Sequence, residues 1–205
     1  MGSKERRGRE KKELRQVILD AARELFLKQG YENVSMRKIA NQIEYSPTTI
    51  YLHFKDKVDL LHCLCHETLS QLVKAFAALS QDMKDPVNCL RKGLRVYIEF
   101  GLKYPDHYKV TFILHPDHVD QPGQEIYEQT AAISEEAFGF LRLIVAECVR
   151  RKKFRKVDVE TTSQAIWSAA HGVTSLLIAH HEFPWVEKNK LIDHLIEMLI
   201  KGLKA

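Results

Sequence analysis

Apolar positions recur at three- and four-residue steps along almost the whole chain, the spacing that lays one stripe along an α-helix. Leu14, Val17, Ile18, Ala21, Ala22, Leu25 and Phe26 form such a stripe, and Gly30 follows where a left-handed C-terminal residue belongs, so a first helix is predicted over about 9–29. Ser35 is suited to cap a short second helix with an inward face of Met36, Ile39, Ala40 and Ile43. Ser46-Pro47 supplies an N-cap and a first-turn proline for a third helix ending near His53, and Asp56 can cap a long fourth helix running to about Leu79. Asp85-Pro86 opens a helix to about Tyr104, and Pro105-Asp106 opens another to about Leu114. A loop with His115-Pro116-Asp117, His118 and Gln121-Pro122-Gly123 precedes three longer helices over about 124–152, 157–181 and 186–203. No stretch alternates as a strand does, and no fixed repeat is present, so an all-α protein is expected, a three-helix N-terminal unit followed by a helical bundle.

Composition narrows the class. The 205 residues are 45% apolar and 28% charged, and with 9 Gly and 6 Pro they are neither a low-complexity nor a collagen-like chain. No apolar run is long enough to span a bilayer, so no membrane partner is expected. The first fifteen residues are mostly Lys, Arg and Glu rather than a charged tip before an apolar segment, which points to a cytoplasmic protein. Its four cysteines, without the spacing of a disulfide framework, are expected to be reduced thiols.

Charge adds a location. Residues 1–60 carry 13 Lys/Arg against 9 Asp/Glu, whereas residues 61–205 carry 18 of each, so the whole net charge of +4 is N-terminal. Lys4, Arg6, Arg7, Arg9, Lys11, Lys12 and Arg15 crowd the start. A basic tail over 1–11 is either a solvated leader or a segment lying along a phosphate backbone.

The next forty residues favour nucleic acid. Two short helices joined by a tight turn, the second opening on small polar side chains, are what a helix-turn-helix needs to place its second helix in a major groove. Thr48 and Thr49 open that helix, and their hydroxyls and methyls suit base edges and a close backbone approach. Tyr51, His53, Lys55 and Lys57 follow as phosphate contacts that fix register, with Arg37 and Lys38 flanking from the preceding helix.

The stretch Val34-Ser35-Met36-Arg37-Lys38-Ile39-Ala40, continuing through Ser46-Pro47-Thr48-Thr49-Ile50-Tyr51-Leu52-His53-Phe54-Lys55-Asp56-Lys57, closely resembles the DNA-binding domain of the TetR family of bacterial transcriptional regulators. The resemblance covers about residues 12–61, and the Tyr-x-His-Phe-x-x-Lys run is its most specific part. Where the family usually has Gly in the turn, this chain has Glu44. The resemblance implies a DNA-binding domain over 12–60 and a ligand-binding, dimer-forming domain over 61–205. It also implies a homodimeric repressor of double-stranded operator DNA, released when a small, apolar or aromatic effector tilts the two DNA-binding domains out of register. Trp167-Ser168-Ala169-Ala170-His171-Gly172 resembles a Trp-x-x-x-His-Gly signature of one subgroup of these C-terminal domains.

Tyr104, Tyr108, Trp167 and His171 are the candidate effector contacts, with a satisfied core histidine as the alternative for His171. Dimerisation is expected on the last two helices, whose apolar stripes, Ala165 to Leu177 and Leu191 to Leu203, are wider than one buried face requires. His62, Cys65 and His66 share one helical face and offer an alternative reading, a metal- or thiol-responsive DNA-binding sensor. Ser168 and His171 also share a face, but no nucleophile elbow or oxyanion donor accompanies them, so neither an enzyme nor a cofactor is expected.

Overall fold

In the computed structural model, which describes residues 2–80, 83–114 and 124–204, every predicted helix is present. They are α1 (Ser3–Gln29), α2 (Met36–Gln42), α3 (Pro47–Tyr51), α4 (Lys57–Ser80), α5 (Pro86–Lys103), α6 (Pro105–Phe112), α7 (Gln124–Arg150), α8 (Val159–Ala179) and α9 (Lys188–Leu203). The expected loop with His115, His118 and Gln121-Pro122-Gly123 lies outside the described residues. Among the described residues no helix is long and apolar enough to cross a membrane, and Cys63, Cys65, Cys89 and Cys148 are free thiols.

The expected caps form. Ser35 Oγ accepts the Lys38 N–H, Ser46 Oγ accepts the Thr49 N–H, and Asp85 accepts the N–H groups of Val87 and Asn88. Asp56 Oδ1 accepts the Asp59 N–H at 2.8 Å at the start of α4. Two boundaries differ from the periodicity. The 3₁₀ turn Tyr31–Asn33 was not expected, and α1 begins at Ser3, so most of the expected tail is helical. Glu5 reaches back to the Gly2 N–H, and Arg6 pairs with Glu10 one turn on, so this stretch continues the helix without burying a side chain.

The turn between α2 and α3 resolves the position where Glu44 replaces glycine. Glu44 has φ +58°, its N–H donates to Asn41 O, and the Tyr45 N–H reaches back to Ala40 O. This is the paired closure of a helix end in which a left-handed residue is required, so the turn keeps its shape despite the side chain. Glu44→Gly is therefore expected to stabilise the protein by roughly 1 kcal/mol, read as a higher urea midpoint at unchanged slope.

By its contacts the chain divides into two compact units, Met1–Thr68 with Asp106–Ala131, and Leu69–Pro105 with Ala132–Ala205. The expected boundary at residue 60 therefore falls inside α4. The first unit has a continuous core in which Ile18, Ala22 and Phe26 of α1, Ile39 of α2, Ile50 of α3 and Leu60 and Leu64 of α4 meet Val110 of α6. Arg23, only 8% exposed, ties α1 to α4 through Glu67 at 2.8 Å and pairs with Asp20 at 2.7 Å. In the second unit α5 packs against α8 and α9, which also pack on each other, burying Leu90, Leu94, Ile98, Ile166, Leu177, Ile192 and Ile196. Ser163 and Thr174, buried on α8, donate to the carbonyls of Val159 and Ala170, which removes the cost of burying their hydroxyls.

Candidate functional site

The predicted DNA-contacting residues divide by what the fold leaves free. Thr48 and Tyr51 stand exposed one turn apart on α3, with Leu52, 74% exposed, beside Tyr51. Arg37 on α2 and Lys55 after α3 also present exposed side chains. Thr49 is half-buried, and its hydroxyl lies 2.9 Å from Ser46 Oγ, so it braces the start of α3 as well as facing outward.

Two predicted phosphate contacts are engaged within the protein, and a third is partly buried. Lys38 Nζ donates to Gln29 Oε1 and to the Asn33 carbonyl, which ties α2 to the end of α1. Lys57 Nζ donates to the Tyr31 carbonyl at 2.8 Å and lies 4.0 Å from the centre of the Tyr31 ring, so it fastens α4 to the 3₁₀ turn. Burial and the nearby cations Lys11 and Arg15 lower the pKa of the half-buried His53 ring, which favours the uncharged imidazole. Tyr45, 47% exposed, and Leu52 belong to the exposed set but were missed, because apolar character directed the sequence reading toward the core. The signal was available for Tyr45, which follows a left-handed residue and precedes the cap of α3.

The four candidate effector residues differ in their surroundings. Tyr108, fully buried, stacks on Phe112 at 4.9 Å in the first unit. Tyr104, at the end of α5 in the second unit, stacks on Phe100 at 5.2 Å. Trp167 and His171 do come together, one turn apart on α8, with ring centres 5.9 Å apart. Their organising partner is Tyr97 of α5, a residue the sequence reading left among the general aromatics. Trp167 Nε1 donates to Tyr97 Oη at 3.1 Å, Tyr97 Oη lies 3.4 Å from His171 Nδ1, and His171 Nε2 lies 3.3 Å from Ser175 Oγ.

An indole nitrogen only donates, so the Tyr97 oxygen accepts from it, and a neutral His171 turns one ring N–H and one ring acceptor toward Tyr97 and Ser175. Burial lowers the His171 pKa and so favours that neutral ring. Phe138 of α7 meets Trp167 edge-on at 6.1 Å, and Trp167 is still 39% exposed, so the network holds a partly open indole in a fixed orientation.

The alternative reading, a metal or thiol site at His62, Cys65 and His66, finds no support in their placement. Cys65 is in the core while His66 is exposed, and the His62 ring bonds to the Thr130 hydroxyl at 3.0 Å. Burial raises the thiol pKa of Cys63 and takes that of Cys65 to about 11, so neither is a ready thiolate. Among the described residues no group of three or more His, Cys, Asp or Glu is placed to hold a metal ion.

Comparison with known proteins agrees with this geometry. Residues 18–64 match the model of the bacterial regulatory proteins of the tetR family, and residues 90–201 match the tetracyclin repressor-like C-terminal domain. The chain is 26% identical over 189 residues to the fatty acid metabolism regulator protein of Bacillus subtilis, covering 91% of this chain and 93% of that one. It is 31% identical over 93 residues to an HTH-type transcriptional regulator of Staphylococcus aureus, a match that takes in 45% of this chain and spans about half of that relative, 50% of its length.

Among solved structures, a tetR-family regulatory protein from Rhodococcus superposes with a TM-score of 0.78 at 20% identity, covering 93% of this chain and 97% of the other. The transcriptional regulator FadR from Bacillus subtilis, solved in complex with stearoyl-CoA, superposes with a TM-score of 0.74 at 22% identity, covering 92% and 98%. The chain therefore belongs to the tetR family of bacterial regulatory proteins, as a DNA-binding transcriptional regulator and not an enzyme.

Proposed function

We propose that this regulator is a cytoplasmic homodimeric repressor that releases its operator on binding a fatty acyl thioester of coenzyme A. The observation that carries the effector class is the similarity, along nearly the whole chain, to the Bacillus subtilis fatty acid metabolism regulator. The Tyr97–Trp167–His171 network supports it, because a partly open indole beside Phe138 is an apolar surface for an acyl chain or ring, with polar groups fixed beside it. In this reading Trp167 and His171 contact effector, and Tyr97 positions them. Tyr104 and Tyr108 were proposed alongside them, and the stacking of each on a neighbouring phenylalanine argues for a structural role instead.

DNA contact is proposed for Arg37, Thr48, Thr49, Tyr51 and Lys55, with Tyr45 and Leu52 added by their exposure. Tyr51→Phe is expected to weaken operator binding by about 1 kcal/mol, nearly uniformly across operator variants, as loss of one phosphate contact does. Thr49→Ala is expected to relax sequence preference and also to loosen the start of α3. Fluorescence anisotropy on a selected operator and its point variants separates the two patterns.

Effector release requires that operator and effector prefer different conformations of the dimer, since equal affinity for both would shift nothing. The test is titration of the protein–operator complex with stearoyl-CoA, stearate and free coenzyme A. Release by stearoyl-CoA alone supports the proposal, and an operator complex unmoved by acyl thioesters of short, medium and long chain overturns the effector class.

A further inference from the structure

In the second unit the start of α5 and the ends of α7 and α9 line one open cleft of about 650 Å³. Five cations line it, Lys84, Arg91, Lys152, Lys153 and Lys204, against the single carboxylate of Asp85. The backbone that carries them is tied together. Arg151 Nη1 donates to the Lys84 carbonyl at 2.8 Å, Arg155 N–H donates to the Leu203 carbonyl at 2.9 Å, and Phe154, buried, forms an antiparallel bridge with Lys204.

The nearby carboxylates are already used. Asp85 caps α5, Glu197 holds Arg91 at 2.6 Å, and Glu147 is engaged by Arg150 and Arg151, which hold its carboxyl well below the usual range. Lys152, Lys153 and Lys204 make no ion pair within 4.0 Å among the described residues, and Lys204 acts on Glu197 only through space. Such convergence of like charge is unfavourable by itself.

Favourable placement at helix C-termini explains part of this cluster, since Lys152 and Lys153 follow α7 and Lys204 follows α9. It does not explain Lys84, which stands just before the positive end of α5, whereas Arg91 is accounted for by its pair with Glu197. The left-handed backbone at Lys152, φ +55°, is the paired closure of the end of α7, with Lys152 N–H on the Val149 carbonyl at 3.0 Å and Lys153 N–H on the Cys148 carbonyl at 2.9 Å, and it fixes where the two lysines leave the helix.

We infer that this cleft binds a small phosphate compound carrying a diphosphate group. Its volume lies within the range of about 300–1,000 Å³ usual for small-molecule sites, which suits a nucleotide-sized molecule better than a single phosphate ion. Exposed lysines from three segments can close on several phosphate oxygens at once, each ammonium offering three donors. The diphosphate can come from a free nucleotide or from the nucleotide end of coenzyme A, and the inference does not depend on the effector proposed above.

The test is calorimetric titration of the full-length protein with pyrophosphate, ADP and coenzyme A, repeated with Lys152→Glu/Lys153→Glu and with residues 2–11 deleted. The deletion controls for the other basic stretch, at the start of α1. Binding of at least one probe that falls tenfold or more in the double variant and persists in the deletion establishes the site. Tighter binding of coenzyme A than of ADP assigns the nucleotide end of coenzyme A, and equal or tighter binding of ADP assigns a free nucleotide. If circular dichroism shows the double variant unfolded, Lys204→Glu replaces it, with a loss of at least threefold expected. The inference is overturned if none of the probes binds, if the charge reversals leave the affinity unchanged, if binding is lost with residues 2–11, or if the double variant loses only affinity for DNA.

Discussion

Glutamate at Leu176 or Met198 is expected to yield a folded monomer whose operator affinity is at least a hundredfold weaker. Each of the last two helices has one stripe committed to the core of its own chain, Ile166, Ala170, Thr174 and Leu177 on α8 and Ile192, Ile196 and Ile200 on α9. A second apolar stripe remains on each. On α8 it runs through Ala165, Ala169, Val173 and Leu176, the last 47% exposed, and on α9 through Leu191, Leu195, Met198 and Leu199, with Met198 55% exposed. Two apolar stripes on one helix have a use if the second meets a copy of itself across a twofold axis, which is the proposed dimer contact.

A charge there would be buried twice, once from each subunit, at a cost of several kcal/mol. Because Leu176 and Met198 are open in the single chain, the same charge leaves the monomer's fold intact, whereas Val173→Glu and Leu195→Glu, at half-buried positions, also tax the fold. Loss of the dimer turns a two-site attachment into two independent ones, which lowers affinity by roughly 10²–10⁴. Sedimentation velocity, circular dichroism and operator anisotropy together check this, and a folded dimer in both exposed-site variants would place the interface elsewhere.

Phe54→Ala is expected to destabilise the protein by about 3–5 kcal/mol, a large share of the 5–15 kcal/mol that holds an ordinary domain together. Phe54 is 2% exposed in the core of the first unit, its N–H donates to the Ile50 carbonyl just past α3, and the Arg15 guanidinium lies 4.5 Å from its ring centre. It therefore anchors the exit of the short α3 to α1, where five residues of helix could not hold an orientation alone. Phe54→Leu keeps most of the buried volume and should cost less than half as much. Urea unfolding followed by circular dichroism gives both values. Operator binding by Phe54→Ala should recover on cooling to the temperature of maximum stability, which a lost DNA contact would not do.

Local chemistry made the helices and the DNA-binding motif legible before any packing was known. Ser35, Ser46-Pro47, Asp56 and Asp85-Pro86 act through their own backbone neighbours, so their capping roles were readable from spacing alone, as was the apolar stripe of α1. Glu44 was recognisable as standing in a glycine's place only through the family resemblance, and the structure puts it at φ +58°. The start of α1 was set too late because periodicity registers buried stripes, and residues 5–13 are helical with every side chain exposed.

What tertiary structure alone decided is which side chains remain available. Lys38 and Lys57 look like phosphate contacts in the sequence, yet their ammonium groups are engaged by carbonyls that the fold brings near. His62, Cys65 and His66 share a helical face in projection, but packing buries one and exposes another. Tyr97 became the centre of the Trp167–His171 network only because α5 lies against α8, a pairing 70 residues apart in the chain at Trp167. The cationic cleft likewise joins residues 84, 152 and 204. Caps, turns and stripes depend on neighbours within about one helical turn, so the chain alone determined the elements and the DNA-binding motif. The charge state of His53, the freedom of each lysine and the partners of Trp167 depend on burial and on contacts between distant segments, which only the folded chain sets.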